Sequence, residues 1–313
     1  TQATIDAQIG DANYDIGHLV HRTSDNGNAG CIGCVCQTGE KGSGFTSYNN
    51  LNNFDWFVVD YMTHEMGHQF GGNHTHTHGG NEGTGVQVEP GSGSTIMGYA
   101  GITGSTTDVQ PHSDDYFHAV NIQQITNYVM NGAGTCAVIT NTGNNAPTAS
   151  AGADFTIPRS TPFVLTGSGS DIDAGDILSY NWEQVDSRAT GFSTVPSATA
   201  TAGPQFRSFL STATPSRTIP QLATILTGAN GQKWEVLPSV NRTLNFRFTV
   251  RDNKLNGGST QSDNMVLTVT NTSGPFLITA PNTTGISWNS GSAQTVTWNV
   301  ANTTLASVNC ANV

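Results

Sequence analysis

His64, Glu65, His68 and His74 are the residues whose types and spacing could do chemistry. On a helix, His64 and His68 lie one turn apart on one face, so both can aim a ring nitrogen at a single ion. Glu65 sits beside them, placed to work on a water bound at that ion rather than to ligate it. Gly71 permits a sharp backbone turn, since glycine enters left-handed conformations cheaply, and that turn would swing His74 back as a third ligand. Three neutral imidazoles leave a tetrahedral zinc with one open position, which marks a catalytic rather than a structural site. The plain alternative is a His-rich surface helix without metal, favoured by the further His76 and His78. Histidine enrichment alone does not place Glu65 and Gly71 as well, so His76 and His78 are read as bystanders.

Several elements must hold these residues. From Trp56 to Phe70 apolar residues recur at helical spacing (Trp56, Val59, Tyr61, Met62, Met66, Phe70), giving a buried face behind the ligand face. Asn52, Asn53 and Asp55 are its N-cap candidates. Upstream, Thr4 to Ile9 reads as the end of a short helix. Tyr14 to Val20 reads as a strand running into a Cys- and Gly-rich loop, and Gly39 to Tyr48 as an edge strand. Downstream, residues 79–93 are glycine-rich and irregular and lead to Ser94-Thr95-Ile96-Met97-Gly98-Tyr99. Ser113 or Asp114 is then expected to cap a helix from Asp115 to Asn131, whose stripe is Phe117, Val120, Ile122, Ile125, Tyr128 and Val129.

The run from His64 to His74 matches all five specified positions of H-E-x-x-H-x-x-G-x-x-H, and the chain thereby resembles the metzincin zinc metallopeptidases. Ser94-Thr95-Ile96-Met97-Gly98-Tyr99 adds a second motif. The resemblance implies that Met97 forms the clan's methionine turn below the zinc, and that the Tyr99 hydroxyl lies near the metal and helps to stabilise the tetrahedral intermediate. The wording around both motifs is most similar to bacterial reprolysin-like (adamalysin-related) peptidases, over roughly residues 1–139. Only 63 residues precede His64, so the upper subdomain is expected to be shortened.

Composition narrows the class. Of 313 residues only 11% are charged, the net charge is −11, and 36 are glycine, which suits loop-rich β structure in a secreted protein. Nucleic acid is disfavoured as a partner because Lys and Arg are few and not clustered. No apolar run reaches the ~20 residues needed to cross a bilayer. Thr1 opens directly into polar sequence, which reads as a mature or processed chain. Cys31-x-x-Cys34 lacks a second pair at zinc-ligand spacing and a βαβ setting for redox chemistry, so disulfides are the better reading. Connectivity does not follow from sequence; the expected pairs are Cys36–Cys136, tying the loop before the active-site helix to the domain's end, and Cys31–Cys34.

Asn141 to Pro147 has the polar character of a linker. Short β-like runs follow: Phe155–Ile157, Phe163–Thr166, Leu178–Glu183, Leu244–Arg251 and Met265–Thr270, with a long insertion from Thr190 to Leu237. Their spacing reads as a β-sandwich. Asn145-Ala146-Pro147, the stretch Gly167 to Asp176, and Tyr180-Asn181-Trp182 resemble a PKD or cadherin-type module. Asp171, Asp173 and Asp176, joined by Asp252, are dense enough in oxygen ligands to suggest calcium. Gln294 to Val300 reads as a strand of a further, partial β unit.

The expected architecture is therefore an α+β metzincin catalytic domain (1–139), a linker (140–147), an all-β Ig/PKD-like sandwich (148–272) and a partial further β unit (273–313). The expected activity is that of a secreted zinc endopeptidase acting on protein or peptide substrates. His64, His68 and His74 would hold the zinc, Glu65 would be general base, and the substrate would lie antiparallel to the edge strand near Gly39–Tyr48. The β modules are read as binding substrate or a cell-surface polymer. The rival readings are a secreted adhesion protein beside a degenerate peptidase domain, and a zinc hydrolase of a non-peptide bond.

Overall fold

A computed structural model describes residues 1–49, 54–188, 195–229 and 231–310. The N-cap candidates Asn52 and Asn53 lie outside the described residues, and Asp55 lies inside the helix rather than before it. The chain opens with α1 (Gln2–Ile9) and then forms a three-stranded sheet from β1 (His18–His21), β2 (Asn26–Asn28) and β3 (Gly44–Ser47).

The strand order is β1-β3-β2, with β3 parallel to β1 and antiparallel to β2. The expected edge strand at Gly39–Tyr48 is thus corrected on two counts. Residues 39–42 are turns, and β3 is the central strand. Its burial is polar, with Thr46 and Ser47 almost fully covered, so the alternation that marks a central strand is missing from the sequence. Ser47 Oγ accepts the N–H groups of Thr23 (3.1 Å) and Ser24 (3.2 Å), and Thr46 Oγ1 meets His18 Nε2 at 2.7 Å. These bonds offset the cost of burying the hydroxyls. The edges are β1 and β2, and the Asn-Gly-Asn sequence of β2 carries no strand propensity.

One continuous helical segment follows: α2 (Phe54–Trp56), a π-helical stretch (Phe57–Thr63) and α3 (His64–Gln69). Gln69 is fully buried and anchors α3 to the sheet: its Oε1 accepts from His18 Nδ1 at 2.7 Å and its Nε2 donates to the Gly17 carbonyl at 3.2 Å. A Cβ at Gly44 would stand 2.7 Å from the Gln69 amide, so only glycine lets β3 approach so closely.

After a long irregular stretch, α4 runs over Ala119–Asn131, four residues later than its expected start at Asp115. His118, not Ser113 or Asp114, is its N-cap, accepting the Val120 N–H at 3.3 Å. Asp114 and Tyr116 instead lie along the turn around Met97, where Asp114 N donates to Ser94 O (2.7 Å) and Ile96 N to Tyr116 O (3.1 Å). Cys36 and Cys136 are bonded across this region, as are Cys31 and Cys34.

The remainder is β-rich. A four-stranded sheet has the order β5 (Phe155–Pro158), β13 (Thr260–Thr270), β12 (Arg242–Arg251), β8 (Ser179–Gln184). Smaller pairs are β4 (Thr148–Ser150) with β7 (Ser168–Ser170), β6 (Phe163–Thr166) with β9 (Ser216–Ile219), and β10 (Gly231–Gln232) with β11 (Glu235–Val236). A last pair joins β14 (Leu277–Ala280) to β15 (Thr297–Asn299).

The main hydrophobic core lies here. Leu244, Phe246, Phe248 and Val250 alternate along β12 and pack with Trp182, Phe206, Leu165, Ile219 and Leu267. The other face of the sheet carries Asn181, Glu183, Arg247 and Thr249, paired across β8 and β12 as Glu183–Arg247 and Asn181–Thr249. Glu183 and Thr249 are also buried, because this face lies against the start of α4.

Candidate metal and catalytic site

Helix α3 sets His64 and His68 on one face, and Gly71, at φ 91°, turns the chain so that His74 faces them. The Nε2 atoms of His64 and His68 lie 3.2 and 3.1 Å from His74 Nε2, so three ring nitrogens converge on one point. Each ring is held from behind. His64 Nδ1 donates to the Ile96 carbonyl and His68 Nδ1 to the Gly72 carbonyl, both at 2.7 Å, while the Glu82 carboxylate lies against His74 Nδ1. Such partners fix the tautomer and orientation that metal ligation requires. Burial pushes His64 well below its usual pKa, and burial together with the charge of His74 brings His68 down to about 4. Both rings are thereby kept neutral, the state in which imidazole ligates, and the three together could hold a metal ion.

Two further parts of the chain shape α3. The disulfide loop satisfies its last carbonyls: Gly33 N donates to His68 O (2.8 Å), and Cys34 N and Val35 N donate to Gln69 O (2.9 and 3.2 Å). Met97 is fully buried beneath the helix, where a Cβ at Gly67 would come 2.6 Å from its sulfur. The Met97 carbonyl accepts the Thr75 N–H at 3.1 Å, joining this turn to the segment that carries His74.

Glu65 faces a cleft of about 320 Å³ that it shares with the three histidines, Glu82, Tyr99 and Asn28. Burial raises its carboxyl to about 7 against the opposing hydrogen bond from the Ala29 amide. Strand β2 crosses directly above it. A Cβ at Gly27 would stand 2.5 Å from Glu65 Oε1, so any larger residue there would push the carboxylate aside. The Tyr99 ring is edge-on to His74 (4.6 Å between centroids) and stacked on His76 (4.3 Å). A second cleft of about 490 Å³ continues past Glu65 and Tyr99 between Trp56, Tyr61 and Ile102.

Sequence reasoning missed two carboxylates. Glu82, besides touching His74 Nδ1, accepts the His74 N–H at 3.0 Å. Burial works to raise its pKa, but the hydrogen bonds and charge of His74 outweigh this and hold it at about 2. Glu89 is 1% exposed; its Oε1 accepts Ser94 N (2.9 Å) and Thr95 N (3.3 Å) and its Oε2 accepts the hydroxyls of Thr75 and Thr95. It therefore clamps the residue after His74 to the turn holding Met97. One signal was available: Glu82 and Glu89 are the only charged residues between His74 and Asp108 apart from histidine, in a stretch with no Lys or Arg.

The four aspartates divide. Carboxylate oxygens of Asp171, Asp176 and Asp252 lie within 4.8 Å of one another, but Asp173 stands outside that group. It accepts Asn145 N (2.7 Å) and Nδ2 (2.9 Å) and pairs with Lys254 (3.4 Å), whose ammonium is also 3.7 Å from Asp176. Three of the four aspartates expected to bind calcium thus lie together, beside an ammonium that already supplies positive charge. Among the described residues no helix is long and apolar enough to cross a membrane.

No curated protein matches the chain. Residues 1–129 match the model of the reprolysin-like metallo-peptidase family M12B, and the segment that builds this site is accordingly similar to a reprolysin-like metallopeptidase.

Proposed function

We propose that the protein is a secreted zinc endopeptidase, with zinc held by His64, His68 and His74 and with Glu65 as general base. The observation that carries this reading is the convergence of three oriented imidazole nitrogens next to a carboxyl raised to about 7. The donor set fits zinc, whose catalytic sites take three protein ligands and keep one position open. When bound there, zinc supplies Lewis acidity toward the scissile carbonyl and makes water a nucleophile near neutral pH.

The protein's own residues do the rest. Glu65 takes the proton of the attacking water on its carboxylate and hands it to the leaving amine. Tyr99 directs its hydroxyl toward the developing oxyanion. Strand β2, rather than Gly39–Tyr48, offers the open edge to an extended substrate, and the groove past Tyr99 receives the side chain beyond the cut. We read the β-rich segment 148–272 as an Ig/PKD-like sandwich. Oxidised cysteine pairs support an extracellular setting.

The test is casein hydrolysis by the full chain before and after chelation. Activity should vanish with the chelator and return with added zinc. Hydrolysis indifferent to chelation, or none in a chain that binds zinc, would exclude the proposal.

A further inference from the structure

The face of the four-stranded sheet opposite its core reaches the metal site through buried polar groups. Glu183 on β8 has no exposed surface. Its Oε2 accepts the Ala119 N–H at 3.0 Å and its Oε1 accepts the Ser208 hydroxyl at 2.7 Å, with His118 Nε2 at 3.5 Å. Ser208, 2% exposed, accepts the Tyr116 hydroxyl at 2.6 Å on Oγ, and its carbonyl accepts the Ser94 hydroxyl at 3.2 Å.

From there the path runs through backbone. The Tyr116 carbonyl accepts the Ile96 N–H at 3.1 Å, and the Ile96 carbonyl accepts His64 Nδ1 at 2.7 Å. Every step between Glu183 and His64 is a hydrogen bond or a short piece of covalent chain. A second strut lies alongside: the Trp234 ring would be 2.7 Å from a Cβ at Gly91. A buried carboxylate is costly unless it is fully hydrogen-bonded, and Glu183 meets that condition only with Ser208, Ala119 and His118 around it.

We propose that Glu183 and Ser208 are positioning residues for the metal site, so that the β-rich region completes the support of His64 instead of serving only as a spacer or targeting module. The inference rests on His64 being a zinc ligand. Removing a strut that orients a ligand's hydrogen-bond acceptor lowers metal affinity, commonly by 10–100-fold.

The experiment uses the full chain and the variants Ser208→Ala, Ser208→Thr, Tyr116→Phe and, as a control at an exposed position of the same sheet, Thr243→Ala. Zinc affinity is measured by chelator competition, and ligand geometry by the visible bands of the cobalt(II)-loaded protein. Ser208→Ala and Tyr116→Phe should bind zinc roughly tenfold more weakly, with shifted cobalt bands and lower kcat at unchanged KM. Ser208→Thr should restore all three, and Thr243→Ala should change none. Should Ser208→Ala fail to fold, Tyr116→Phe, which keeps the ring in place, carries the comparison. Wild-type zinc affinity and cobalt spectrum in a folded Tyr116→Phe variant would overturn the positioning role alone. A wild-type chain without zinc affinity would overturn the metal reading and this inference with it.

Discussion

At the scale of single residues, the site depends on close approaches that leave no room for error. Gly27 sits over Glu65 with no space for a methyl group, so Gly27→Ala should displace the carboxylate while leaving the three histidines in place. A displacement near 1 Å can cost about 100-fold in rate. Steady-state kinetics should therefore show a large fall in kcat with zinc content unchanged. Tyr99→Phe keeps the ring packing against His74 and His76 but removes the hydroxyl. If that hydroxyl stabilises the oxyanion, kcat should drop by about 10²-fold with little change in KM. The convergence of the three histidines was legible in the sequence because helical spacing alone puts His64 and His68 together, and a glycine at the turn returns His74. Glu82 and Glu89 were not, because their partners are set by the path of a glycine-rich segment that has no periodicity to read.

At the scale of elements, α3 was legible and its surroundings were not. Its apolar stripe announced the helix, but the strand that walls the cleft is Asn-Gly-Asn, which looks like a turn. The central strand β3 buries hydroxyls instead of alternating apolar side chains, and so passed for an edge. The helix expected from Asp115 begins at Ala119 because the residues before it pair with the turn around Met97. That turn depends on Glu89. Glu89→Ala would strand the amides of Ser94 and Thr95 and two buried hydroxyls, and should destabilise the protein by at least about 2 kcal/mol, read as a lower midpoint in urea unfolding. The Cys36–Cys136 bond closes a loop with a sequence separation of 100. Replacing both cysteines by serine should cost about 2–5 kcal/mol, seen as a lower melting temperature.

At the scale of the whole molecule, the β strands were largely placed by their spacing, and β6 coincides with the expected Phe163–Thr166. What the sequence could not show is that the polar face of their sheet is buried against the peptidase-like segment, since Glu183 reads as an exposed alternate position on a strand. With Glu183, Ser208 and Trp234 locked against that segment, calorimetry of the full chain should give one cooperative transition rather than two separable ones. The central claim remains the chemistry at Glu65. Its most direct test is Glu65→Gln in the full chain, with zinc stoichiometry and peptide hydrolysis measured on the same preparation. The account predicts one zinc per chain, as in wild type, and a fall in kcat of at least about 10²-fold from loss of the general base; near-wild-type turnover with zinc bound would contradict it.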